Sequence, residues 1–248
     1  MKPQLVLSLF PGIGLLDMAF EEEGFCVVRG PDLLWGGDIR RFHPPAGVFQ
    51  GVIGGPPCQA FSSLARLNIY LGHEPKFGNL IPEFERIVDE VRPAWFVMEN
   101  VPDAPKPIAS RLCTVAMLVQ DSAVGGATQR VRRISFGTRE GIPLPLETLA
   151  LFSEEAGRAV TGDARVHTTG HRIRSRENGG GVLPNTGKLA PLSEMAEAQG
   201  LPADFLAHSP FTNRAKRQMI GNGVPLPMGR AVAKAVRRAI ESQSERVA

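Results

Sequence analysis

Apolar positions fall in blocks through the first half of the chain, and each block has the length and period of a strand or a helix. Residues 5–10 (Leu-Val-Leu-Ser-Leu-Phe) form an apolar run that stops at Pro11-Gly-Ile-Gly14, the pattern of a buried strand ending in a glycine turn. Residues 15–23 suit a helix, Gly24 closes it, and residues 25–29 return to β-forming side chains. A short apolar run at residues 51–54 leads into Pro56-Pro57-Cys58. Phe84, Ile87, Val88 and Val91 recur at helical spacing within residues 82–91, with acids and an arginine on the other face. Residues 94–98 are again strand-like and end at Glu99-Asn100. A last helix is expected over residues 227–240, where Pro227 suits the first turn and Ala231, Val232, Ala235, Val236 and Ala239 make one stripe.

Strand–helix alternation of this kind predicts an α/β fold with a mainly parallel, doubly wound sheet and helices on both faces. Ligands of such sheets sit at the carboxyl ends of the strands, which is where Gly12, Cys58 and Glu99 fall. Past Gly137 the texture changes to Gly, Pro, Thr and Arg with little period. Residues 138–211 are therefore read as a small irregular domain, and residues 1–137 with 212–248 as the main one. Arg172, Arg174 and Arg176 alternate with Ile173 and Ser175, so a strand there carries all three on one face. That face is either a nucleic-acid contact or a solvated basic surface.

Composition narrows the classes. The hydrophobic fraction of 43% and charged fraction of 21% are those of an ordinary soluble globular protein. No apolar run approaches the ~18–20 residues that span a bilayer, and a cytoplasmic monomer is expected. A net charge of +3 points to no partner, but its distribution is uneven. Seven Lys/Arg and no acid lie between Arg214 and Arg238, which suits either phosphate contacts or a solvated basic face. Cys26, Cys58 and Cys113 are an odd, widely spaced set, which argues against a disulfide scaffold or a metal site and leaves free thiols.

Phe10-x-Gly12-x-Gly14 stands between a strand and a helix, where glycines let a ligand approach backbone amides. Asp32 lies beyond the second strand, where an acid binds ribose hydroxyls or simply caps a turn. Cys58, behind two prolines that fix φ, is either a nucleophile or an inert buried thiol. Glu99 ends another strand of the same sheet and is aimed at the same cleft unless it only caps a helix.

Taken together, these residues resemble the motif set of the C5 cytosine-specific DNA methyltransferases. Leu9-Phe-x-Gly-x-Gly14, Gly37-Asp-Ile39, Gly55-Pro-Pro-Cys-Gln-x-Phe-Ser62, Glu99-Asn-Val101, Gln129-x-x-x-Arg133, Gln199-Gly-Leu-Pro-x-Asp-Phe205 and Gly221-Asn-Gly-Val224 occur in the family's order. The resemblance implies a Rossmann-like fold, S-adenosylmethionine as cofactor, double-stranded DNA as partner and no metal. It implies Cys58 as the nucleophile at cytosine C6, with Glu99 and Arg133 holding the base. Phe10, Gly12, Ile13, Gly14, Asp32, Asp38, Ile39, Pro57, Leu80, Asn222 and Val224 are implied around the cofactor. Gln59, Ser62, Gln129 and Arg132 are implied on the DNA side, with Arg172, Arg174 and Arg176 in the recognition region, whose 138–190 stretch matches no motif.

Three positions depart from the family pattern. Asp32 and Asp38 are too close for the usual intervening helix, and Ser193-Glu194 stands for an Arg-Glu pair. Val131 stands at the first arginine of Gln-x-Arg-x-Arg; Arg130 and Arg132 flank it, but in a strand they face away from Arg133. Two other readings keep the fold: a tRNA cytosine methyltransferase and a catalytically silent DNA-binding relative. The absence of cysteine from residues 138–211 argues against the first, and the presence of Cys58, Glu99 and Arg133 against the second.

Overall fold

The computed structural model describes residues 4–57, 78–149 and 191–247. Cys58, Gln59, Ser62, Arg172, Arg174 and Arg176 lie outside the described residues. Six strands form one sheet in the order β2-β1-β3-β4-β6-β5. They are β1 (Leu5–Leu9), β2 (Cys26–Arg29), β3 (Gly51–Gly54), β4 (Trp95–Asn100), β5 (Cys113–Gln120) and β6 (Val131–Thr138). β1, β2, β3 and β4 pair in parallel, while β6 runs antiparallel to both neighbours. The chain moves outward from β1 in both directions, so β1 and β3 flank the crevice at which such sheets bind ligands.

Period-two burial assigns the two faces. Val6, Ile53, Val97, Ile134 and Phe136 pack under helices α1 (Leu15–Glu22) and α5 (Leu226–Val247). Leu7, Leu9, Val52, Phe96 and Met98 pack under α2 (Ile81–Val91). Gly51 is required because Trp95 lies flat over it: an added Cβ would stand 2.2 Å from the indole.

The sequence did not announce β5, β6, α3 (Leu192–Ala198) or α4 (Asn213–Asn222). Met195, Ala196 and Leu201 share an apolar cluster with Leu15, Ala19, Ile220 and Leu226, and Leu144 packs with Val97 and Phe136. Residues 192–201 thus pack against α1, α4 and the start of α5, and Leu144 packs against the sheet.

The basic stretch 214–238 is also resolved. In α5, Arg230 holds Glu22 at 2.5 Å, Arg237 reaches the Glu23 carbonyl and the Phe25 ring, and Lys234 and Arg238 pair with Glu147. These cations join α5 to its own protein, so this part of the cluster is structural. Among the described residues, no helix is long and apolar enough to cross a membrane.

Candidate active site

The loop after β1 is built on left-handed backbone. Phe10 and Gly12 both have φ +56° and Gly14 has φ +81°; the strain at Phe10 is on the order of 1–3 kcal/mol, the kind stored where a ligand must be met. A Cβ built on Gly12 meets nothing within 4 Å, so the space above it is open. Asp32 Oδ2 accepts from the Gly12 amide at 2.9 Å, and the Trp35 indole donates to the Gly12 carbonyl at 3.0 Å. Asp32 also caps the short turn Leu33–Trp35 through Oδ1, at 2.7 Å from the Leu34 amide. That turn fills the short stretch between Asp32 and Asp38. Its Trp35 is 61% exposed and meets Phe211 edge to face at 5.8 Å. The exposed tryptophan beside a glycine pair was the available signal for this residue, and the motif reading passed over it.

Beneath the loop, Ser8 donates to Asp17 Oδ1 at 2.5 Å and Arg29 bonds Asp17 Oδ2 at 2.9 Å. Burial pushes the Asp17 carboxyl up, against the pull of Ser8 and Arg29. The Arg29 guanidinium lies on Gly14, 2.6 Å from where a Cβ would be. Gly14→Ala therefore meets both a positive φ and a cation, and we expect it to lower unfolding free energy by roughly 1–3 kcal/mol and to weaken cofactor binding. Thermal unfolding together with cofactor titration checks this; unchanged values in both would refute it.

Phe10, Ile39 and Leu80 share one apolar cluster, bringing together three residues that the sequence had scattered. Val224 is buried, Asn222 is exposed, and Gly223 fits against Leu15, whose Cδ1 would be 2.5 Å from an added Cβ. The 221–224 turn is thereby set at the start of α1, beside Ile13 and Gly14. Asp38 is held by Arg40, whose Nε and Nη2 approach its oxygens at 2.9 Å, and the guanidinium keeps this carboxyl below its usual value.

The ends of β3, β4 and β6 meet at the next crevice. Glu99 is 7% exposed, and its Oε2 lies 3.1 Å from a Cβ built on Gly55, so the carboxylate stands close against the turn after β3. Asn100 Nδ2 donates to the Pro56 carbonyl at 3.2 Å, fixing the turn that leads to Pro57 and Cys58.

Strand register then decides among the arginines. Glu99 stands opposite Ile134 and Asn100 opposite Arg133, so Arg132 shares the Glu99 face. Arg132 Nε pairs with Glu99 Oε1 at 2.8 Å. Arg130, on the same face, is buried and donates to the Gly221 carbonyl at 2.7 Å. Arg133 faces the other way and spends Nε and Nη2 on the Pro102 carbonyl, at 2.9 and 2.5 Å. The resemblance had implied Arg133 beside Glu99 at the base and put Arg132 on the face opposite Arg133. The ladder keeps the two arginines on opposite faces and sets Arg132 on the side of Glu99. Gln129 is exposed at the foot of β6.

Residues 36–134 and 128–238 match the C-5 cytosine-specific DNA methylase family. The chain belongs to that family. It is a DNA cytosine-5-methyltransferase by membership. It is 27% identical over 289 aligned positions to the type II methyltransferase M.HgiDI of Herpetosiphon aurantiacus, covering 89% of this chain and 90% of that one. To M.XorII of Xanthomonas oryzae pv. oryzae it is 26% identical, covering 64% of this chain and 45% of the relative, so it spans under half of that longer protein. In fold it resembles the methyltransferase EhMeth of Entamoeba histolytica, with a TM-score of 0.66 at 12% identity over 97% of this chain and 99% of that one.

Proposed function

We propose that this chain methylates C5 of a cytosine flipped out of double-stranded DNA, with Cys58 as the covalent nucleophile and S-adenosylmethionine as the methyl source. The observation that carries this reading is the Glu99–Arg132 pair, set against Gly55 three residues before Cys58. Cytosine C5 is a weak nucleophile and C6 is inaccessible within the stack, so the chemistry needs both extrusion and covalent activation. In this reading the Cys58 thiolate adds to C6 and the ring becomes an enamine, rich in electrons at C5. As electrons enter the ring N3 takes up a proton from solvent, and the Glu99 carboxylate accepts hydrogen bonds from that N3–H and from the exocyclic amine. Arg132 orients Glu99 and presents its remaining N–H groups to the cytosine O2 side. After methylation the C5 proton passes to solvent, and the electrons of that C–H bond expel the Cys58 thiolate from C6. N3 gives back the proton it had taken, so that the aromatic ring and the thiolate are both restored.

The residues around the β1 loop fit the cofactor. Open space over Gly12, left-handed backbone at Phe10 and Gly14, and the apolar group Phe10, Ile39 and Leu80 form a cradle beside the Asp32 and Asp38 carboxylates. Asp32 would bind the ribose with lone pairs left by its backbone contacts; Asp38 and Ile39 would read the adenine. Ile13, Gly14, Pro57, Asn222 and Val224 would enclose the rest. When bound, the cofactor supplies a methyl group on a sulfonium, the electrophile that C5 requires. The recognition region is read within residues 138–190, with Arg172, Arg174 and Arg176 on DNA and Gln59, Ser62 and Gln129 lining its path.

Tritiated methyl transfer to duplex DNA and to tRNA, run side by side, tests the substrate. Incorporation into DNA alone is expected; incorporation into tRNA alone, or into neither, rejects the reading. Duplex DNA carrying 5-fluorocytosine should also trap a covalent adduct, because fluorine blocks loss of the C5 proton. A gel without that adduct, under conditions where ordinary DNA is methylated, would overturn the mechanism.

A further inference from the structure

Between β2 and β3 the chain runs from Gly30 to Gln50 without a strand, yet this segment holds Asp38 and Ile39. A segment without a strand has no ladder to fix its backbone, and an adenine reader must be fixed to within a fraction of an ångström. The fixing comes from Arg86 in α2. Its Nη2 donates to the Ile39 carbonyl at 3.0 Å and to the Phe42 carbonyl at 3.1 Å, and its Nη1 donates to Phe42 at 3.2 Å. Arg86 is itself held by Glu83 at 2.8 Å and Glu90 at 2.7 Å, one turn before and after it. The two carbonyls bracket the turn Ile39–Arg41, whose N-cap is Asp38. On the inner side Ile39 is buried at 4% exposure among Phe84, Ile87 and their neighbours. The turn is thus gripped from both sides by one helix: apolar contacts hold its inner side chain and a planar guanidinium holds its carbonyls.

We infer that Arg86 is a positioning residue for the adenine subsite, acting through the Ile39 and Phe42 carbonyls rather than on the ligand. The inference rests on the reading of Asp38 and Ile39 given above. A surface ion pair alone would not do this, since exposed pairs contribute little and fix no backbone. A charged donor on carbonyls is stronger and directional. Lysine, a point charge without the planar fork, reproduces the charge but not the bracket.

The test compares wild type with Arg86→Met, Arg86→Lys and Glu90→Gln. Each is titrated with S-adenosylhomocysteine and with its inosine counterpart, which carries oxygen in place of the 6-amino group. Wild type should prefer the adenine compound. Arg86→Met should lose about tenfold or more of its affinity for that compound, with little change for the inosine one, so that discrimination collapses. In turnover its KM for S-adenosylmethionine should rise while kcat at saturation and KM for DNA stay within about threefold. Arg86→Lys should recover only part of the discrimination, and Glu90→Gln should keep nearly all of it, because the carbonyl contacts survive. Equal losses for both compounds, or a lowered melting temperature with discrimination intact, would assign Arg86 to stability alone and overturn the inference. Absence of discrimination in wild type would instead reject the Asp38 reading, and the inference with it.

Discussion

Cys58→Ala is expected to abolish methyl transfer, by about ten-thousand-fold or more, while the affinity for S-adenosylmethionine stays at the wild-type level. The two halves of this result have separate causes. In the proposed mechanism electron density reaches C5 only through a thiolate added at C6, and alanine supplies none. The residues proposed for the cofactor, by contrast, include Phe10, Ile39 and Leu80 in one apolar cluster, and the proposed role of the thiol is on the base. The backbone leading to Cys58 is fixed by close contacts: a Cβ on Gly54 would lie 2.7 Å from the Leu9 carbonyl, Gly55 is closed off by Glu99, and Pro56 is held by Asn100. Alanine leaves all of these intact, so the loss is chemical. Filter-bound tritium in single turnover measures the rate, and calorimetric titration the affinity. Activity within tenfold of wild type would remove Cys58 from the mechanism.

Arg132→Met and Arg133→Met should differ sharply, although the residues are adjacent. Arg132 neutralises a carboxylate that is 7% exposed; deleting it leaves Glu99 buried without its cation and misdirected at the base. Loss of one such transition-state contact costs on the order of 10²–10³ in kcat. Arg133→Met loses the contacts to the Pro102 carbonyl, which lie on the other face of the sheet. A loss of roughly 1–3 kcal/mol of stability, with activity near wild type, is expected there. Single-turnover rates and urea unfolding on both variants decide the matter, and a reversed order would restore Arg133 as the partner of the base.

The arginine problem also marks where sequence reading stops. Two adjacent arginines let the Gln-x-Arg-x-Arg pattern be threaded in two ways, and the choice depends on side-chain parity in a ladder. β6 does carry a parity signal, since Ile134 and Phe136 alternate with Ser135 and Gly137. Its partner carries none: Trp95, Phe96, Val97 and Met98 are all apolar because β4 is buried on both faces. Only the register of β4 against β6 settles which arginine meets Glu99. The β1 turn, α2 and the ends of β3 and β4 were legible because each combines its own period with its own turn residues. α3, with seven residues and no side-chain cap, has too little of either, and Arg230 and Arg237 of α5 meet partners 208 and 214 positions away. The trimmed loop after Asp32 was visible as a spacing, but not the means of holding it, because Arg86 belongs to a helix that reads as an ordinary amphipathic surface.

The Arg230–Glu22 bridge and the apolar stripe beside it join residues 208 positions apart. One face of the sheet therefore has to wait for α5: until Val232, Val236 and Ala239 arrive, Val6, Phe20, Ile53 and Val97 lack their cover. During synthesis at ~5–20 residues per second, that apolar face stays open for about ten seconds or more after β1 has emerged. Closing so long a loop is slow, and the exposed face is a place for chains to associate in the meantime. Synthesis at lower temperature or with chaperones should therefore raise the yield of this protein, and chains interrupted before α5 should accumulate as aggregates rather than as smaller folded enzymes.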